Sequence, residues 1–411
     1  MAPESDVKLL RTFRDRRGVL ARVRASAPVR DPARPLIWLH APSVGEGLQA
    51  RPVLEALRRA HPDWQLAYSW YSPSASSFAQ RLDVDLREVL PFDGATEADA
   101  LLESWKPTVL CFVKLDVWPV LAERAAAAGV RTALVSATLA ANSGRQGRLA
   151  RALLGDAYAA LDAVGAISPD DAQRLVALGV HADRVHVTGD TRMDQVWQRA
   201  QSVGREHPVR ALLRAERESV VTLVAGSTWP ADEAILLPAV ARWFARNPTA
   251  RLIIAPHEPS ERHLAPIAEW ATAQSIALTR LSQVEATSNH SWRVLLVDRV
   301  GVLGDLYALG DIAYIGGGFH DAGLHSVLEP AAFGIPVLFG PRHRNAREAT
   351  DLLQLGGAFE VRTSTDLHAQ LTRFAAHPAA RFTTGERAQS IVRDGRGSTA
   401  RVVALLESLV T

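Results

Sequence analysis

The chain has 411 residues, of which 47% are hydrophobic and 22% charged, with 46 Lys or Arg against 44 Asp or Glu. That composition excludes an intrinsically disordered chain, and the length exceeds one ordinary core, so two domains of about 200 residues each are expected. A net charge of +2 points to no nucleic-acid partner. The single cysteine, Cys111, excludes an intramolecular disulfide and reads as a small core residue within an apolar run. No Cys/His cluster has zinc-site spacing, nothing near Met1 resembles a signal peptide, and no apolar stretch of about 18 residues is present to span a bilayer. A protein that is soluble or held at a membrane surface is expected.

In chain order, the first feature is a basic segment. Lys8, Arg11, Arg14, Arg16, Arg17, Arg22, Arg24, Arg30 and Arg34 stand against Glu4, Asp6, Asp15 and Asp31. Such a patch suits anionic lipid headgroups, each basic residue contributing about 1 kcal/mol at such a surface, or it is an ordinary solvated charged helix. Apolar runs of strand length then follow at 36–41, 65–69, 108–113, 132–136, 163–167 and 185–188, alternating with helical patterns such as 46–60 and 169–178. After a polar, basic stretch the alternation restarts, with strands expected at 220–225, 251–255, 294–297, 312–315 and 336–339 and helices at 230–244 and 345–355. The pattern predicts an α/β protein of two doubly wound, Rossmann-like domains, 1–204 and 205–411, hinged near 200–210 and facing a central cleft. The last segment, 381–411, is helical in pattern and is expected to pack back on the first domain.

Ligands bind such sheets beyond the carboxyl ends of the strands, so the informative residues are those that follow strands. Glu46 sits where the first strand turns into a helix, a place that favours a carboxylate and suits a general base. The same Ser43-x-x-Glu46 spacing is also a capping box, which leaves a purely structural role open. Lys114 and Asp116 follow the strand at Cys111. Arg192 follows the strand at Val187, where a cation suits a departing phosphate, or an ordinary ion pair with Asp116 or Asp194. In the second half, Gly316-Gly317-Gly318 follows a strand and precedes a short polar helix containing Glu329, a pattern that lets backbone approach a nucleotide sugar while Glu329 reaches a ribose. Ser227 and Thr228, Pro256 and His257, and Val300, Gly301 and Val302 follow other strands and point to the same place, although His257 alone also reads as an ordinary loop histidine.

Taken together these motifs resemble the bacterial Kdo (3-deoxy-D-manno-octulosonic acid) transferase family, glycosyltransferase family 30, from about Leu36 to Val361. The matching stretches are His40-Ala-Pro-Ser-Val-Gly-Glu46, Trp118-Pro119, Gly189-Asp-Thr-Arg192, Ala225-Gly-Ser-Thr228, Gly316-Gly-Gly318, His325-Ser-Val-Leu-Glu329 through Gly340-Pro341, and Asn345. The resemblance implies a GT-B fold, CMP-Kdo as donor and a lipid A precursor (lipid IVA) as acceptor, in lipopolysaccharide core biosynthesis. It places the catalytic base on Glu46 and transition-state stabilisation on Asp116 and Arg192. CMP contacts fall on Pro256, His257, Val300 to Val302, and Ser326, Val327, Leu328 and Glu329, with Ser227, Thr228, Gly317, Gly318, His325 and Asn345 joining the nucleotide site. Inversion by a single displacement is implied. No metal and no cofactor are expected, because the donor carries one phosphate rather than a diphosphate.

Departures from the family pattern accompany the matches. Many members have Glu-x-Glu where this chain has Lys114-Leu115-Asp116, and Lys where Arg192 stands, replacements that at Asp116 and Arg192 keep charge and change reach. Gly323-Leu324-His325-Ser326 stands in place of the usual Gly-Gly-His-Asn. Members commonly begin with an apolar anchor, whereas this chain starts inside the basic segment, leaving peripheral attachment at the cytoplasmic face of the inner membrane or a start set too far downstream. A nucleotide-sugar 2-epimerase on the same scaffold, or a non-catalytic lipid A precursor-binding homologue, are the alternative readings.

Overall fold

A computed structural model of the protein describes residues 11–140, 143–203, 220–287 and 292–410. Lys8 and the expected hinge residues 204–210 lie outside the described residues. The chain forms two compact units, Met1–Asp194 together with Gly395–Thr411, and Gln195–Asp394.

The first unit is built on a seven-stranded parallel sheet of β1 (Leu36–His40), β2 (Gln65–Trp70), β3 (Leu86–Val89), β4 (Val109–Val113), β5 (Arg131–Ala137), β6 (Ala163–Ala166) and β7 (Val185–Val187), in the order β3-β2-β1-β4-β5-β6-β7. Helices cover both faces, so the central strands are buried on both sides and read as unbroken apolar runs; β1 and β4 have no exposed residue. The rings of Trp38 on β1 and Trp105 meet edge to face with centroids 4.8 Å apart, and Trp38 Nε1 donates to Ser69 Oγ on β2 at 2.8 Å.

The second unit repeats the plan with β8 (Thr222–Thr228), β9 (Arg251–Pro256), β10 (Leu278–Arg280), β11 (Val294–Leu296), β12 (Ile312–Ile315), β13 (Val337–Phe339) and β14 (Ala358–Glu360), in the order β10-β11-β9-β8-β12-β13-β14. Its core joins Leu236, Val240 and Trp243 of the helix Pro230–Arg246 to Leu252, Ile254, Ile312 and Tyr314 of the sheet, with Leu367, Leu371 and Phe374 closing one end. The strands that apolar runs did not reveal, β3, β10 and β14, all lie at sheet edges. They hold three or four residues and carry side chains such as Arg87, Glu88, Arg280 and Glu360, because an edge needs no continuous apolar face.

The chain returns to the first unit at Gly395. There Asp194 accepts from the backbone N–H groups of Gly397 at 2.7 Å and Thr399 at 2.6 Å, and Arg401 Nε donates to the Thr188 carbonyl at 2.8 Å. The helix Ser398–Glu407 buries Val402, Val403 and Leu406 in the first core, and Glu407 meets His61 Nε2 at 2.6 Å.

The helix Pro169–Leu178 illustrates how local sequence sets an element. Ser168 at its N-cap accepts from Asp171 N at 3.2 Å, proline supplies the first helical position, and Gly179 ends it at φ 130°. Asp171 is buried, accepting from the Ser168 hydroxyl, Leu139 N at 2.9 Å and Arg174 at 3.1 Å. Burial alone would raise its carboxyl pKa, yet those three donors outweigh it and hold it below the ordinary value. We therefore expect Asp171→Ala to lower stability by about 1–3 kcal/mol in urea unfolding at neutral pH. Because the folded carboxyl is the stronger acid, that stabilisation is present above about pH 4 and fades as pH falls through the folded value, so wild type and variant should converge in acid.

Candidate active site

In a doubly wound sheet, a crevice opens where the chain reverses the direction in which it adds strands, because the two loops there leave toward opposite faces. That point lies between β1 and β4 in the first sheet and between β8 and β12 in the second. Glu46, Lys114 and Asp116 follow β1 and β4, and Ser227, Thr228 and Gly316 to Gly318 end or follow β8 and β12, whereas Arg192 follows the edge strand β7, Pro256 and His257 lie at the end of β9, and Val300 to Val302 follow β11.

At the end of β1, Ser43 caps the helix Val44–Ala60, its Oγ accepting from Gly45 N at 3.2 Å. The Ser-x-x-Glu pattern does not close as a capping box; the Ser43 hydroxyl instead donates to Glu46 Oε2. The other oxygen, Oε1, takes Lys114 Nζ at 2.9 Å from the residue after β4, where Lys114 holds the left-handed φ of 71°. Glu46 is only 8% exposed. Its burial would raise the pKa, but the bonds from Ser43 and Lys114 and the lysine charge outweigh it, so the carboxyl lies below the ordinary glutamate value. Glu46 is thus an ionised carboxylate held from both oxygens, each with a further lone pair to offer.

Behind it, His40 is fully buried with Nδ1 2.9 Å from Ser69 Oγ and its ring set edge to face against Phe112 and Trp118. Burial presses its pKa down to about 3, so the ring is neutral.

Arg192 and Asp116 have partners other than those expected. Arg192 pairs with neither Asp116 nor Asp194: its Nε and a terminal nitrogen reach Asp190 Oδ2 at 2.9 and 2.6 Å. One residue separates the partners, so the backbone turn after β7 brings them together. Asp190 is buried, which would raise its pKa, yet Arg192 holds it below the ordinary value, and Gln49 Nε2 reaches it at 3.4 Å from one turn beyond Glu46. Thr191 Oγ1 donates to the Gln49 carbonyl at 2.7 Å, so the Glu46 helix and the Arg192 loop are tied together. Asp116 is bonded to Arg145 at 3.0 Å, and Arg145 also meets the Tyr158 hydroxyl at 3.2 Å.

In the second unit the strand β8 runs on through Ser227 and Thr228, which correct the expected strand end at 225. Ser227, at φ 54°, forms a bulge between the pairs Gly226–Ala255 and Thr228–Pro256, Pro256 being the last residue of β9. Thr228 points inward, its hydroxyl donating to Glu233 at 2.8 Å. The glycine run is required by the protein's own backbone: a Cβ on Gly316 would lie 2.1 Å from the Ser227 carbonyl oxygen and one on Gly318 2.4 Å from Gly340 N, while Gly317 holds φ 90°. Asp232 organises this loop. Fully buried, it accepts from Gly317 N at 2.8 Å, Trp229 N at 3.0 Å, and Phe319 N and the Tyr314 hydroxyl at 3.2 Å each. With no cation against it, burial prevails and its pKa is raised.

Around that loop stand Trp229, His257, His320 and His325. The Trp229 ring stacks on His320 at 4.2 Å and on His257 at 4.5 Å, and its Nε1 donates to His325 Nε2 at 3.2 Å. Asn345 is engaged internally, its amide bonded to both N–H and carbonyl of Leu324 at 3.0 and 2.9 Å. Val327 and Leu328 have buried side chains, whereas Ser326 is exposed and Glu329 stands 3.8 Å from Arg199. Arg199 also pairs with Asp305 at 2.7 Å and lies against Gly304, next to Val300, Gly301 and Val302; Val300 is exposed. No group of three or more His, Cys, Asp or Glu among the described residues is placed to hold a metal ion.

Part of the basic N-terminal segment is bonded to other elements of the first unit. Arg16 is buried over the Tyr71 ring at 3.8 Å, Arg22 forms a bidentate pair with Glu88, and Arg30 and Arg34 bind backbone carbonyls. Arg11, Arg14, Arg17 and Arg24 are exposed, as are the rings of Phe13 and Phe92, whose centroids are 5.7 Å apart. No helix among the described residues is long and apolar enough to cross a membrane.

Comparison with known proteins then decides the family. Residues 11–195 match the sequence profile described as 3-deoxy-D-manno-octulosonic-acid transferase (kdotransferase). The chain is 30% identical over 400 residues to the 3-deoxy-D-manno-octulosonic acid transferase of Bordetella pertussis, covering 94% of this chain and 89% of that protein. This chain belongs to the Kdo transferase family. The Kdo transferase of Haemophilus influenzae is 24% identical over 375 residues, 90% of this chain and 86% of that one. Among solved structures, a UDP-GlcNAc 2-epimerase from Neisseria meningitidis bound to UDP-GlcNAc aligns with TM-score 0.65 at 14% identity, over 91% of this chain and 100% of that one. Anabaena HepE in complex with UDP aligns with TM-score 0.58 at 12% identity, over 91% of this chain and 99% of that one. These likenesses show the GT-B-like fold. As a Kdo transferase the protein is a glycosyltransferase.

Sequence reading quoted Asp190 within the Gly189-Asp-Thr-Arg192 stretch without a role of its own and passed over Asp232 and Trp229, and all three matter here. The signal available for Asp232 was its place three residues after Trp229, at the third position of the helix Pro230–Arg246. Asp232→Ala strands several buried donors at once, and we expect a loss of about 2–5 kcal/mol, read as a lowered urea midpoint.

Proposed function

We propose that this Kdo transferase moves Kdo from CMP-Kdo to a hydroxyl of a lipid A precursor, with Glu46 as the base. The observation that carries the reading is the ionised, doubly held Glu46 at the reversal point of the first sheet, in a chain 30% identical to a Kdo transferase. The acceptor O–H proton passes to Glu46 as its oxygen bonds to the anomeric carbon of Kdo. The bond from that carbon to the phosphate oxygen breaks with its electron pair leaving on CMP, and the configuration inverts.

Asp116 and Arg192 are assigned to transition-state stabilisation. Their partners, Arg145 and Asp190, set their orientation. The first unit is assigned to the acceptor and the second to the nucleotide, through the loops bearing Pro256, His257, Val300 to Val302 and Ser326 to Glu329. Attachment to an anionic membrane surface is assigned to Arg11, Arg14, Arg17 and Arg24 with Phe13 and Phe92, a smaller set than the basic segment contains.

Incubation with CMP-Kdo and lipid A precursor, followed by mass spectrometry of the lipid, tests donor and acceptor together. Glu46→Gln should lower kcat by about 10²–10⁴-fold, and near wild-type transfer would sink the base assignment. Lys114 adds a pH test. With its charge in place Glu46 protonates below the ordinary glutamate value; Lys114→Met leaves burial less opposed, so the acid limb of kcat/KM should move to higher pH.

A further inference from the structure

The rings at the reversal point of the second sheet are joined by one directional bond. Trp229 Nε1 and His325 Nε2 are 3.2 Å apart, the ring planes differ by 14° and the centroids lie 6.5 Å apart, so the two rings meet edge to edge. His257 lies across both, 4.5 Å from each. An indole N–H can only donate, so His325 Nε2 must accept. In a neutral imidazole the proton then resides on Nδ1. Burial, followed by the charges of His257 and His320, presses the His325 pKa down to about 4, which keeps the ring neutral near pH 7. The backbone holds the residue as well, His325 N donating to the Gly316 carbonyl at 3.2 Å, and the next residue, Ser326, is exposed.

We propose that Trp229 is a positioning residue of the donor site, locking His325 as the Nδ1–H tautomer so that this N–H is a fixed donor to an anionic oxygen of the sugar nucleotide. The inference rests on the donor reading above and adds to it a residue that binds through another. A neutral donor whose tautomer is set by a neighbour loses no binding energy in choosing between two protonated forms, and it needs no charge that would vary with pH. The stack of His320 and His257 on Trp229 fixes the indole plane and hence the direction of the bond.

Trp229→Phe keeps a flat apolar ring for the histidines to stack on and removes only the N–H. Two-bond ¹H–¹⁵N correlation spectra of the full chain at neutral pH distinguish the tautomers, the His325 signals being assigned by their loss in His325→Asn. Wild type should show His325 as the Nδ1–H form, and Trp229→Phe should move it toward the Nε2–H form. The KM for CMP-Kdo should rise about three- to tenfold in Trp229→Phe, with kcat changing less. In an H325N background, where an amide places an N–H near the Nδ1 position without any tautomer to fix, adding W229F should change KM by less than about twofold.

A wild-type spectrum in the Nε2–H form, or a tautomer unmoved by W229F, would overturn the proposal. So would a tautomer switch with unchanged KM, since the N–H would then serve something other than the donor. Wild-type protein that transfers nothing from CMP-Kdo yet shows the tautomer switch would instead overturn the donor reading and keep the Trp229–His325 coupling.

Discussion

A parallel sheet obliges each strand to be followed by a crossover, and the crossovers bury both faces. Wherever strand order grows outward in one direction, successive loops are covered by the next helix. Only where growth reverses do two neighbouring loops part toward opposite faces and leave their ends open. In this protein the reversal falls at β1 and β4 and again at β8 and β12. Glu46 and Lys114 hang from the first pair, and Trp229 and the glycine run from the second. Nearly all of the remaining structure serves to keep those four strand ends in place, since their side chains are buried on both faces.

Around these openings the same electrostatic problem is solved in two ways. Glu46 and Asp190 are buried carboxylates set against a cation, Lys114 or Arg192, and both are held ionised. Asp232 is buried against backbone N–H groups and a tyrosine hydroxyl, and with no adjacent cation its pKa rises instead. The first arrangement suits a group that is to meet a proton, the second a group that is to shape a loop. The basic segment divides along similar lines: Arg16, Arg22, Arg30 and Arg34 tie elements of the first unit together, and Arg11, Arg14, Arg17 and Arg24 stand exposed.

The fold alone does not select the chemistry. UDP-GlcNAc 2-epimerases share the architecture at 14% identity, while the Bordetella pertussis relative shares 30% along nearly the whole chain. What separates such proteins lies in the side chains on the open loops. Here those loops carry Lys114 beside Glu46, a departure from the resembled pattern, and Trp229 beside His325, and each makes a specific bond to a predicted site residue.

The sequence by itself determined the repeated α/β plan, most central strands and the helix Pro169–Leu178, because buried parallel strands are continuous apolar runs and helix caps are local signals. It also marked Glu46, His257 and the glycine run, since each follows a strand. It could not show the edge strands β3, β10 and β14, whose short polar segments lack such runs. Nor could it assign partners: Lys114 reaches Glu46 across 68 positions and Trp229 reaches His325 across 96, distances along the chain that only the pairing of β1 with β4 and β8 with β12 closes. Whether Arg192 met Asp116, Asp194 or Asp190 was decided by the turn after β7, and whether Glu46 was a cap or an ionised carboxylate by Lys114 at the end of the neighbouring strand.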